Sequence, residues 1–499
     1  MGMSRRKFLW AAGVGAAASA CSRAVPGQDP STAPSTGLTS GTPTSRPAPV
    51  PPDWASLRAR LGAGLSQPGS ADFDTLRRSF NTLFDQRKPM AVAAVRTAED
   101  VQACVEVARA AYLPIAARSG GHSYAGYSVP DSGLVVDLKA MSSVEVKGDG
   151  SAVIGAGARL IDVYTALAKA GRCLPGGSCP TVGIGGLTLG GGIGVLSRKF
   201  GLTCDKLRSA QVVTADGMLR TASAYSDDDL FWGLRGGGGG NFGIVTSFTF
   251  NTDPAPDLVV FTLTFPQGSA AEVVGAWQKW VAGAPDELWS NCVVSAGSPP
   301  KARVGGSFTG SPATLNQLLD TLVKSVRPIS RTVGQRGYLD AMKYFGGCST
   351  KSCTPTPPLR EGFVASSRIL GEPLRDPAGL EQLLSGRTGM DILLDSLGGA
   401  VGERKPADTA FPHRAALASA QIYRQATQES ESEAAQSVAA VRDGLARLGA
   451  TGGYVNYIEA AMPDWGVTYY GANLSRLRDV ARKYDPDRVF NFAQSVHRA

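Results

Sequence analysis

Glycine is concentrated in short stretches of this chain rather than spread along it. The chain has 61 glycines in 499 residues; nine lie between Gly176 and Gly194, and Gly236 to Gly240 are consecutive. A backbone without Cβ atoms can approach a flat ligand closely and leaves its amide groups open to an anion. The clusters therefore predict loops that hold a pyrophosphate or an anionic ring edge, and they argue against a collagen-like or disordered chain.

A histidine and a cysteine lie inside glycine-rich stretches. The chain has three histidines; His122 stands in RSGGHSY (residues 118–124), and Cys179 stands in GSCPTVG (residues 177–183). An imidazole and a thiol on such loops are the nucleophiles that two covalent bonds to one cofactor would need. The alternative is two loop residues without a chemical role, and the spacing alone leaves both interpretations open.

The longer strings RSGGHSYAGYS (residues 118–128) and GSCPTVGIGG (residues 177–186) resemble the berberine-bridge-enzyme-like FAD-linked oxidoreductases, and the resemblance extends from residue 80 to residue 499. It implies an α+β protein of the vanillyl-alcohol-oxidase/PCMH type. The expected FAD-binding domain has two α+β subdomains, and the expected substrate domain is an antiparallel sheet backed by helices. The resemblance also implies bicovalent FAD, bonded at its 8α-methyl group to His122 and at ring carbon 6 to Cys179.

The same resemblance implies which other residues contact FAD. A nicotinamide-binding Rossmann motif is a poor alternative, because the glycines that end at Gly194 lack an acidic residue about 20 positions on in a βαβ context. The expected cofactor contacts are Arg118, Ser119, Gly120, Gly121, Ser123, Thr181, Val182, Gly183, Gly185, Gly186, Gly190, Gly194, Gly240, Asn241, Phe242, Gly243, Ile244, Val245, Tyr454 and Asn456.

Two tyrosines are the catalytic candidates. Oxidation of an alcohol needs a base for the hydroxyl proton, and a tyrosine with an ordinary pKa of about 10 can serve if a cation or the flavin edge lowers that pKa. Tyr457, in the string YVNY (residues 454–457), resembles the catalytic base of the family. The alternative is that Tyr457 is a half-buried strand residue without a catalytic role. Tyr124 resembles a substrate contact near the flavin. Asp395 and Gln421 are weaker candidates for the substrate pocket.

The histidines favour redox chemistry over hydrolysis or metal catalysis. His413 and His497 lie far from any serine or carboxylate pattern of a catalytic triad, and no histidine or cysteine spacing fits a metal site. We interpret His413 as structural. The predicted partners, which the resemblance implies, are a small-molecule substrate and dioxygen.

The leading hypothesis is an FAD-dependent oxidase that acts on an alcohol or on a sugar or oligosaccharide hydroxyl and releases hydrogen peroxide. Val182 supports oxygen as the acceptor, because valine at this family position goes with oxidases and larger side chains go with dehydrogenases. The alternatives are oxidative modification or cyclisation of a secondary metabolite, a dehydrogenase with another acceptor, and a lipoprotein that only binds a ligand.

The amino terminus resembles an export signal. Arg5 and Arg6 precede a short apolar stretch, as in twin-arginine signals, and that stretch is shorter than the about 20 residues of a membrane span. Cys21 resembles a lipoprotein cleavage site, with a plain cleaved signal as the alternative. Residues 22–52 are rich in Pro, Ser and Thr and predict a disordered linker. We therefore expect an exported protein, whose only membrane contact is a lipid on Cys21 if that residue is lipidated.

The remaining chain is predicted to form three parts: an FAD-binding domain at residues 53–256, a substrate domain at 257–450 and a carboxy-terminal segment at 451–499 that returns to the FAD domain. The net charge is +8. Five basic residues and one acidic residue fall in residues 1–52, which leaves +4 for the rest, without a run of lysines or arginines. Nucleic acid is therefore not an expected partner.

Local patterns predict several elements. Ala91–Val95 reads as a strand, and Thr97 with Asp100 forms a capping box that opens a helix. Asp216 and Gly217 indicate a hairpin turn. Among the cysteines, Cys348 and Cys353 are the likeliest disulfide pair. Cys104 is expected to be a buried thiol on the apolar face of the helix that Thr97 opens.

Overall fold

The computed structural model of the chain describes residues 48–348, 353 and 359–499. The predicted signal, Cys21 and most of the predicted linker lie outside the described residues, so those assignments stay predictions. Among the residues described, no helix has the length and apolar character that a membrane crossing requires.

Strands and helices are numbered here in chain order. The strands are β1 Leu65–Ser66, β2 Ala91–Ala94, β3 Ile115–Arg118, β4 Leu134–Asp137, β5 Val144–Val146, β6 Ser151–Gly155, β7 Arg172–Cys173, β8 Leu207–Val213, β9 Leu219–Ser223, β10 Ile244–Asn251, β11 Asp253–Pro254, β12 Leu258–Thr264, β13 Leu288–Ser295, β14 Lys301–Phe308, β15 Ser330–Arg336, β16 Phe363–Leu370, β17 Met390–Ser396 and β18 Ala418–Gln425. The α-helices are α1 Trp54–Leu61, α2 Phe73–Leu76, α3 Ala98–Ala111, α4 Leu160–Lys169, α5 Ile184–Leu189, α6 Ser197–Phe200, α7 Asp228–Gly233, α8 Ala270–Ala282, α9 Pro312–Val323, α10 Tyr338–Phe345, α11 Pro377–Leu384, α12 Glu431–Arg447, α13 Trp465–Tyr470 and α14 Leu474–Tyr484.

The first sheet has the order β1-β2-β4-β3, in which β2, β4 and β3 are parallel. Helix α3 connects β2 to β3, and the predicted capping box is confirmed: the Asp100 amide donates to the Thr97 hydroxyl, and the Thr97 amide donates to the Asp100 carboxylate. The apolar face of α3, which includes Cys104, is buried as predicted. Burial raises the pKa of the Cys104 thiol to about 12, so it stays protonated.

The second sheet is antiparallel, with the order β5-β6-β10-β8-β9. The predicted hairpin is confirmed, because β8 and β9 pair from Val213 and Leu219 outwards and Gly217 supplies the positive φ of the turn. The two sheets share one apolar core with α3, α4, α7 and α14. They correspond to the two α+β subdomains expected for FAD binding.

The third sheet is antiparallel throughout, with the order β15-β12-β14-β13-β17-β18-β16. Side chains alternate between its two faces, as the period of a strand requires. In β13, Cys292 and Val294 pack against helices α8, α9, α11 and α12, whereas Trp289 and Asn291 face a cavity. The expected antiparallel sheet backed by helices is therefore confirmed, and its open face forms one wall of the site.

The carboxy-terminal segment runs back across the first two sheets. Leu477 and Val480 of α14 belong to their core. The Tyr484 hydroxyl oxygen lies 2.9 and 2.7 Å from carboxylate oxygens of Asp227 and Asp229 at the start of α7, which share its single proton. The alternative that Tyr457 is a strand residue is wrong, because Val455–Tyr457 forms a 3-10 turn. The Tyr457 amide donates to the Tyr454 carbonyl over 2.8 Å, which bends the segment away from any sheet.

The predicted disulfide between Cys348 and Cys353 is present. It follows α10, whose carboxy-terminal end lies beside the loop that contains Cys179: a Cβ atom added to Gly346 would be 2.9 Å from Pro180 and 3.1 Å from the Ser178 carbonyl.

Candidate active site

A cavity of about 400 Å³ lies between the first two sheets and the open face of the third. Its walls come from the loop after β3, the glycine-rich segment around α5, the loop before β10, the third sheet and the carboxy-terminal segment. Five separate parts of the chain therefore converge on one concave surface, which is the usual form of a cofactor and substrate site.

The loop after β3 presents His122 to this cavity. Arg118 ends the strand, and its guanidinium is buried away from the cavity, 2.6 Å from the Asp137 carboxylate. It also donates to the carbonyls of Leu76 and Arg78. Arg118 thus fixes the start of the loop from behind, so that His122 lies on the exposed side.

The His122 loop and the Cys179 loop are in direct backbone contact. A Cβ atom added to Gly120 would lie 2.2 Å from the Gly183 nitrogen, and one added to Gly183 would lie 2.0 Å from the Ser119 hydroxyl oxygen. No side chain fits at either position, because real Cβ contacts are never this short. The two glycines therefore bring the predicted imidazole and thiol into the same part of the cleft.

A threonine hydroxyl lies between the two predicted nucleophiles. Nε2 of His122 is 3.0 Å from Oγ1 of Thr181, and Sγ of Cys179 is 3.8 Å from the same Oγ1. The His122 ring also stacks on Phe80, with centroids 3.9 Å apart and planes 20° from parallel. The imidazole, the hydroxyl and the thiol thus form one connected group at the edge of the cavity.

Most of the residues expected to contact FAD lie on the cavity wall. Five of the expected contacts are not on the wall itself: Arg118, Cys179, Thr181, Gly190 and Phe242. Gly190 touches the Asn456 side chain, which a Cβ atom would approach to 2.1 Å, and Phe242 is a core residue. Those on the wall are Ser119, Gly120, Gly121, His122, Ser123, Val182, Gly183, Gly185, Gly186, Gly194, Gly240, Asn241, Gly243, Ile244, Val245, Tyr454 and Asn456.

The wall fits a large, flat, anionic cofactor. A Cβ atom on Gly186 would meet nothing within 4 Å, and those on Gly239 and Gly240 would have their nearest neighbours at 3.7 and 3.6 Å, so side chains there would project into the space the cleft provides. Positive φ angles at Gly238 and Gly240 shape the second glycine loop. With His122 at one edge, these residues fit FAD. Among the described residues, no group of His, Cys, Asp and Glu could hold a metal ion.

The two predicted catalytic tyrosines are stacked. The rings of Tyr124 and Tyr457 have centroids 5.4 Å apart and planes 12° from parallel, and both line the cavity. The Gln421 side-chain amide donates to the Tyr124 hydroxyl. Tyr457 also meets Tyr454 edge to face, at 4.9 Å. The structure therefore brings Tyr124, Tyr457 and Gln421 together, and Asp395 lies on the same cavity wall.

Tyr454 and Glu459, which flank Tyr457 in the sequence, are held in other roles. The Tyr454 hydroxyl accepts hydrogen bonds from the amides of Gly192 and Ile193, and burial raises its pKa well above the ordinary value. The Glu459 carboxylate is buried and bound to Arg442 and Ser366. Neither residue is suited to take a substrate proton, which leaves Tyr457 as the tyrosine of this segment that can.

The third sheet adds polar residues that the sequence reasoning missed. Thr262, Asn291, Arg303 and Asp391 face the cavity from β12, β13, β14 and β17. Burial lowers the pKa of the Arg303 guanidinium, and the neighbouring Tyr344 and Asp391 act in the opposite direction. The signal in the sequence was the alternation of these residues with apolar ones, but alternation alone does not say which face of a strand meets a ligand.

Comparison with known proteins agrees with this geometry. A model of the FAD binding domain matches residues 89–223, and a model described as berberine and berberine like matches residues 453–497. An uncharacterized FAD-linked oxidoreductase of Bacillus subtilis, YgaK, is 34% identical over 449 residues, which are 88% of this chain and 98% of the relative. The chain belongs to the berberine-bridge-enzyme-like family of FAD-linked oxidoreductases. It is an FAD-dependent oxidoreductase with the PCMH-type fold.

Other relatives have more specific names. A chitooligosaccharide oxidase of Gibberella zeae is 33% identical over 436 residues, 82% of this chain and 87% of that one. Among solved structures, Physcomitrella patens BBE-like 1 has a TM-score of 0.84 at 29% identity and covers 89% of this chain and 99% of its own. The Acremonium strictum glucooligosaccharide oxidase has a TM-score of 0.79 at 29% identity and covers 89% of this chain and 99% of its own. It was studied for its 6-S-cysteinyl, 8α-N1-histidyl FAD.

Proposed function

We propose that this protein is an exported FAD-dependent oxidase that oxidises a hydroxyl group of a sugar or oligosaccharide and reduces dioxygen to hydrogen peroxide. One observation carries the proposal: Tyr457 and Tyr124 are stacked in the cavity, between the loop of His122 and the polar face of the third sheet. A proton acceptor, a cofactor site and a set of hydrogen-bonding groups for a hydroxylated substrate therefore meet in one space.

FAD is held through both His122 and Cys179. Their common contact with Thr181 supports this, because it brings two nucleophiles to one edge of the cleft. The bicovalent FAD named for the glucooligosaccharide oxidase, which has the same fold, supports it too. When bound, FAD supplies the hydride acceptor and passes the two electrons on to dioxygen.

Tyr457 accepts the proton of the substrate hydroxyl. Its phenol lies on the cavity wall, and its ring is held between Tyr124, stacked on one face, and Tyr454, at an edge. Since the Gln421 amide donates to the Tyr124 hydroxyl, that ring cannot turn without losing a hydrogen bond. The pair thus keeps the Tyr457 oxygen at a fixed position relative to the His122 loop, as general-base catalysis requires.

The polar face of the third sheet favours a sugar over an apolar alcohol. Asn291, Arg303, Asp391 and Asp395 line the cavity from adjacent strands. Carboxylates accept hydrogen bonds from hydroxyl groups, and amide and guanidinium groups donate to them. A sugar offers several hydroxyls to these groups, whereas an apolar alcohol offers one. The oligosaccharide oxidases among the relatives support the same choice.

Export is proposed from the paired arginines and the short apolar stretch before Cys21. An enzyme that crosses a membrane already folded can receive its flavin beforehand, so the route is compatible with covalent FAD. Replacing Arg5 and Arg6 together by lysine should retain the protein in the cytoplasm, as measured by fractionation. Replacing Cys21 by serine tests lipidation separately, through release of the exported protein from the membrane.

The test is a peroxide assay across oligosaccharides, simple alcohols and phenols with the purified enzyme. We expect peroxide with at least one oligosaccharide, and only background with phenols. Peroxide with phenols alone would overturn the sugar proposal in favour of secondary-metabolite oxidation. Sugar oxidation with a dye acceptor but without peroxide would make the protein a dehydrogenase.

A further inference from the structure

Thr181 contacts both expected attachment points. Its Oγ1 is 3.0 Å from Nε2 of His122 and 3.8 Å from Sγ of Cys179. Val182, the next residue in the chain, lines the cavity. Thr181 is therefore placed to act on the two nucleophiles.

We propose that Thr181 is a positioning residue for both flavin attachments, which rests on the proposed bicovalent FAD. Its hydroxyl oxygen accepts a hydrogen bond from Nε2–H of His122, and its hydroxyl proton faces Sγ of Cys179. A hydroxyl has one donor and two acceptor sites, so it can serve both neighbours at the same time.

The proposal assigns the Nε2 proton of His122 to its contact with Thr181. A neutral imidazole carries its proton on one nitrogen and a nucleophilic lone pair on the other. With the proton on Nε2, Nδ1 is the nitrogen that bonds FAD. Stacking on Phe80, with centroids 3.9 Å apart, holds the plane of the ring.

The same hydroxyl positions Cys179. Its Oγ1 is 3.8 Å from Sγ of Cys179, and the Cys179 side chain is almost fully buried. The contact fixes the direction in which the sulfur points. Losing it should slow the formation of the C–S bond.

The backbone holds Thr181 in place without help from its hydroxyl. The amides of Leu160 and Ile161, at the start of α4, donate to the carbonyls of Val182 and Pro180 over 2.9 and 3.1 Å. Two residues after Thr181, Gly183 is in backbone contact with Gly120. Removal of the hydroxyl alone should therefore leave the loop in its position, which makes a selective test practicable.

Each attachment balances as a two-electron oxidation. One C–N or C–S bond forms between the side chain and the ring system of FAD. One hydrogen leaves the imidazole or the thiol, and one leaves the ring system. Dioxygen takes both hydrogens with the two electrons and is released as hydrogen peroxide, so each bond consumes one dioxygen.

The test compares Thr181→Val, Thr181→Ser and the wild type as purified holoenzymes. Valine keeps the shape and removes the hydroxyl, whereas serine restores it. Thr188→Val is the matched control, because Thr188 is buried in α5 and its hydroxyl has no hydrogen-bond partner among the described residues. The measurement is the mass of the peptides that contain His122 and Cys179, with and without attached FAD, in holoenzyme purified at increasing times after expression begins.

We expect Thr181→Val to bind FAD but to form each link about tenfold more slowly, since the loss of one hydrogen bond to a reacting group costs about 1.4 kcal/mol. Thr181→Ser and Thr188→Val should match the wild type. Both links at the wild-type rate in Thr181→Val would overturn the inference, as would slow linkage in a folded Thr181→Ser.

If Thr181→Val does not fold, Thr181→Ala is measured in the same way. Slow linkage in a folded Thr181→Ser would still overturn the inference. A wild type without covalent FAD would instead contradict the proposed bicovalent attachment.

Discussion

The ring of Tyr457 stacks on the ring of Tyr124, with their centroids 5.4 Å apart and their planes 12° from parallel. Tyr124 is two residues after His122, whereas Tyr457 belongs to the carboxy-terminal segment. The stack therefore ties the expected proton acceptor to the loop that is expected to hold the flavin. Displacement of either ring would break this contact, so the pair links the position of the proposed base to that of the loop.

Replacement of Tyr457 by phenylalanine should abolish most turnover. The change removes the proton acceptor but keeps the ring that stacks on Tyr124, so bound FAD and the fold should be retained. Loss of a general base typically slows a reaction by about 100-fold to 10,000-fold. Steady-state kinetics with the best sugar, beside the visible spectrum of the flavin, measures both expectations.

Tyr423→Phe is a matched control for that variant. Tyr423 lines the same cavity, and its hydroxyl donates to Glu361 over 2.7 Å. It should keep activity within about fivefold of the wild type, because its hydroxyl hydrogen-bonds to Glu361 and not to a reacting group. A Tyr457→Phe enzyme as active as Tyr423→Phe would remove Tyr457 from the mechanism.

Single replacements of His122 and Cys179 by alanine should each leave one covalent bond to FAD. After acid precipitation, both variants should keep their yellow colour in the pellet, because the remaining link resists denaturation. The double variant should release FAD into the supernatant. Colourless pellets from either single variant would show that the attachment is not made twice.

Replacement of Val182 by leucine should slow reoxidation of the reduced enzyme by dioxygen about tenfold, a change of about 1.4 kcal/mol in the barrier. Val182 lies on the cavity wall beside the Cys179 loop, and one added methylene in a close-packed wall obstructs a small gas molecule. Stopped-flow absorbance of the flavin separates the two half-reactions, and anaerobic reduction by sugar should change little.

Val293→Leu provides the contrast for Val182→Leu. Val293 lines the cavity from β13 in the third sheet, on the substrate side. It should alter reduction by sugar and leave reoxidation unchanged. If both leucine variants reoxidise like the wild type, Val182 has no part in controlling oxygen access.

His413 should make the fold sensitive to acid. Burial lowers the pKa of this imidazole from its ordinary 6.5 to about 4, with hydrogen bonds to the carbonyls of Gly453 and Tyr469 acting in the opposite direction. Below pH 6.5 His413 is protonated in the unfolded chain but stays neutral in the folded chain. The free energy of unfolding therefore falls as the pH drops from 6.5 to about 4.

The expected loss from His413 is about 1 to 3 kcal/mol of the free energy of unfolding, since each unit of pKa difference between the folded and unfolded chain corresponds to about 1.4 kcal/mol. Urea unfolding at pH 7.5 and pH 4.5 measures it. A His413→Gln variant should lose less stability between the two pH values than the wild type. Equal losses in both proteins would contradict the assignment.

The sequence predicted those features that depend on neighbouring residues. The capping box of Thr97 and Asp100 and the hairpin at Gly217 are local, so a short string contains all of their determinants. The sequence motifs likewise led to His122 and Cys179, whose loops the structure brings together.

Contacts between distant parts of the chain were not predictable in this way. The position of Arg303 in the site depends on which face of β14 meets the cavity, and that depends on the packing of helices from the other side. The 3-10 turn at Tyr457 arises where Asn456 donates to the Leu187 carbonyl, 269 residues away in the chain. Neither relationship leaves a pattern in the local sequence.

The most direct measurement of the central claim is the stoichiometry of the reaction with an oligosaccharide in air. Sugar consumed, dioxygen consumed and hydrogen peroxide formed are followed together, with the absorbance of the flavin recorded in the same sample. We predict that one dioxygen is consumed and one peroxide is formed for each sugar oxidised, with rapid return of the oxidised flavin spectrum. A flavin that no sugar reduces, or a sugar-reduced flavin that persists in air without peroxide, would contradict it.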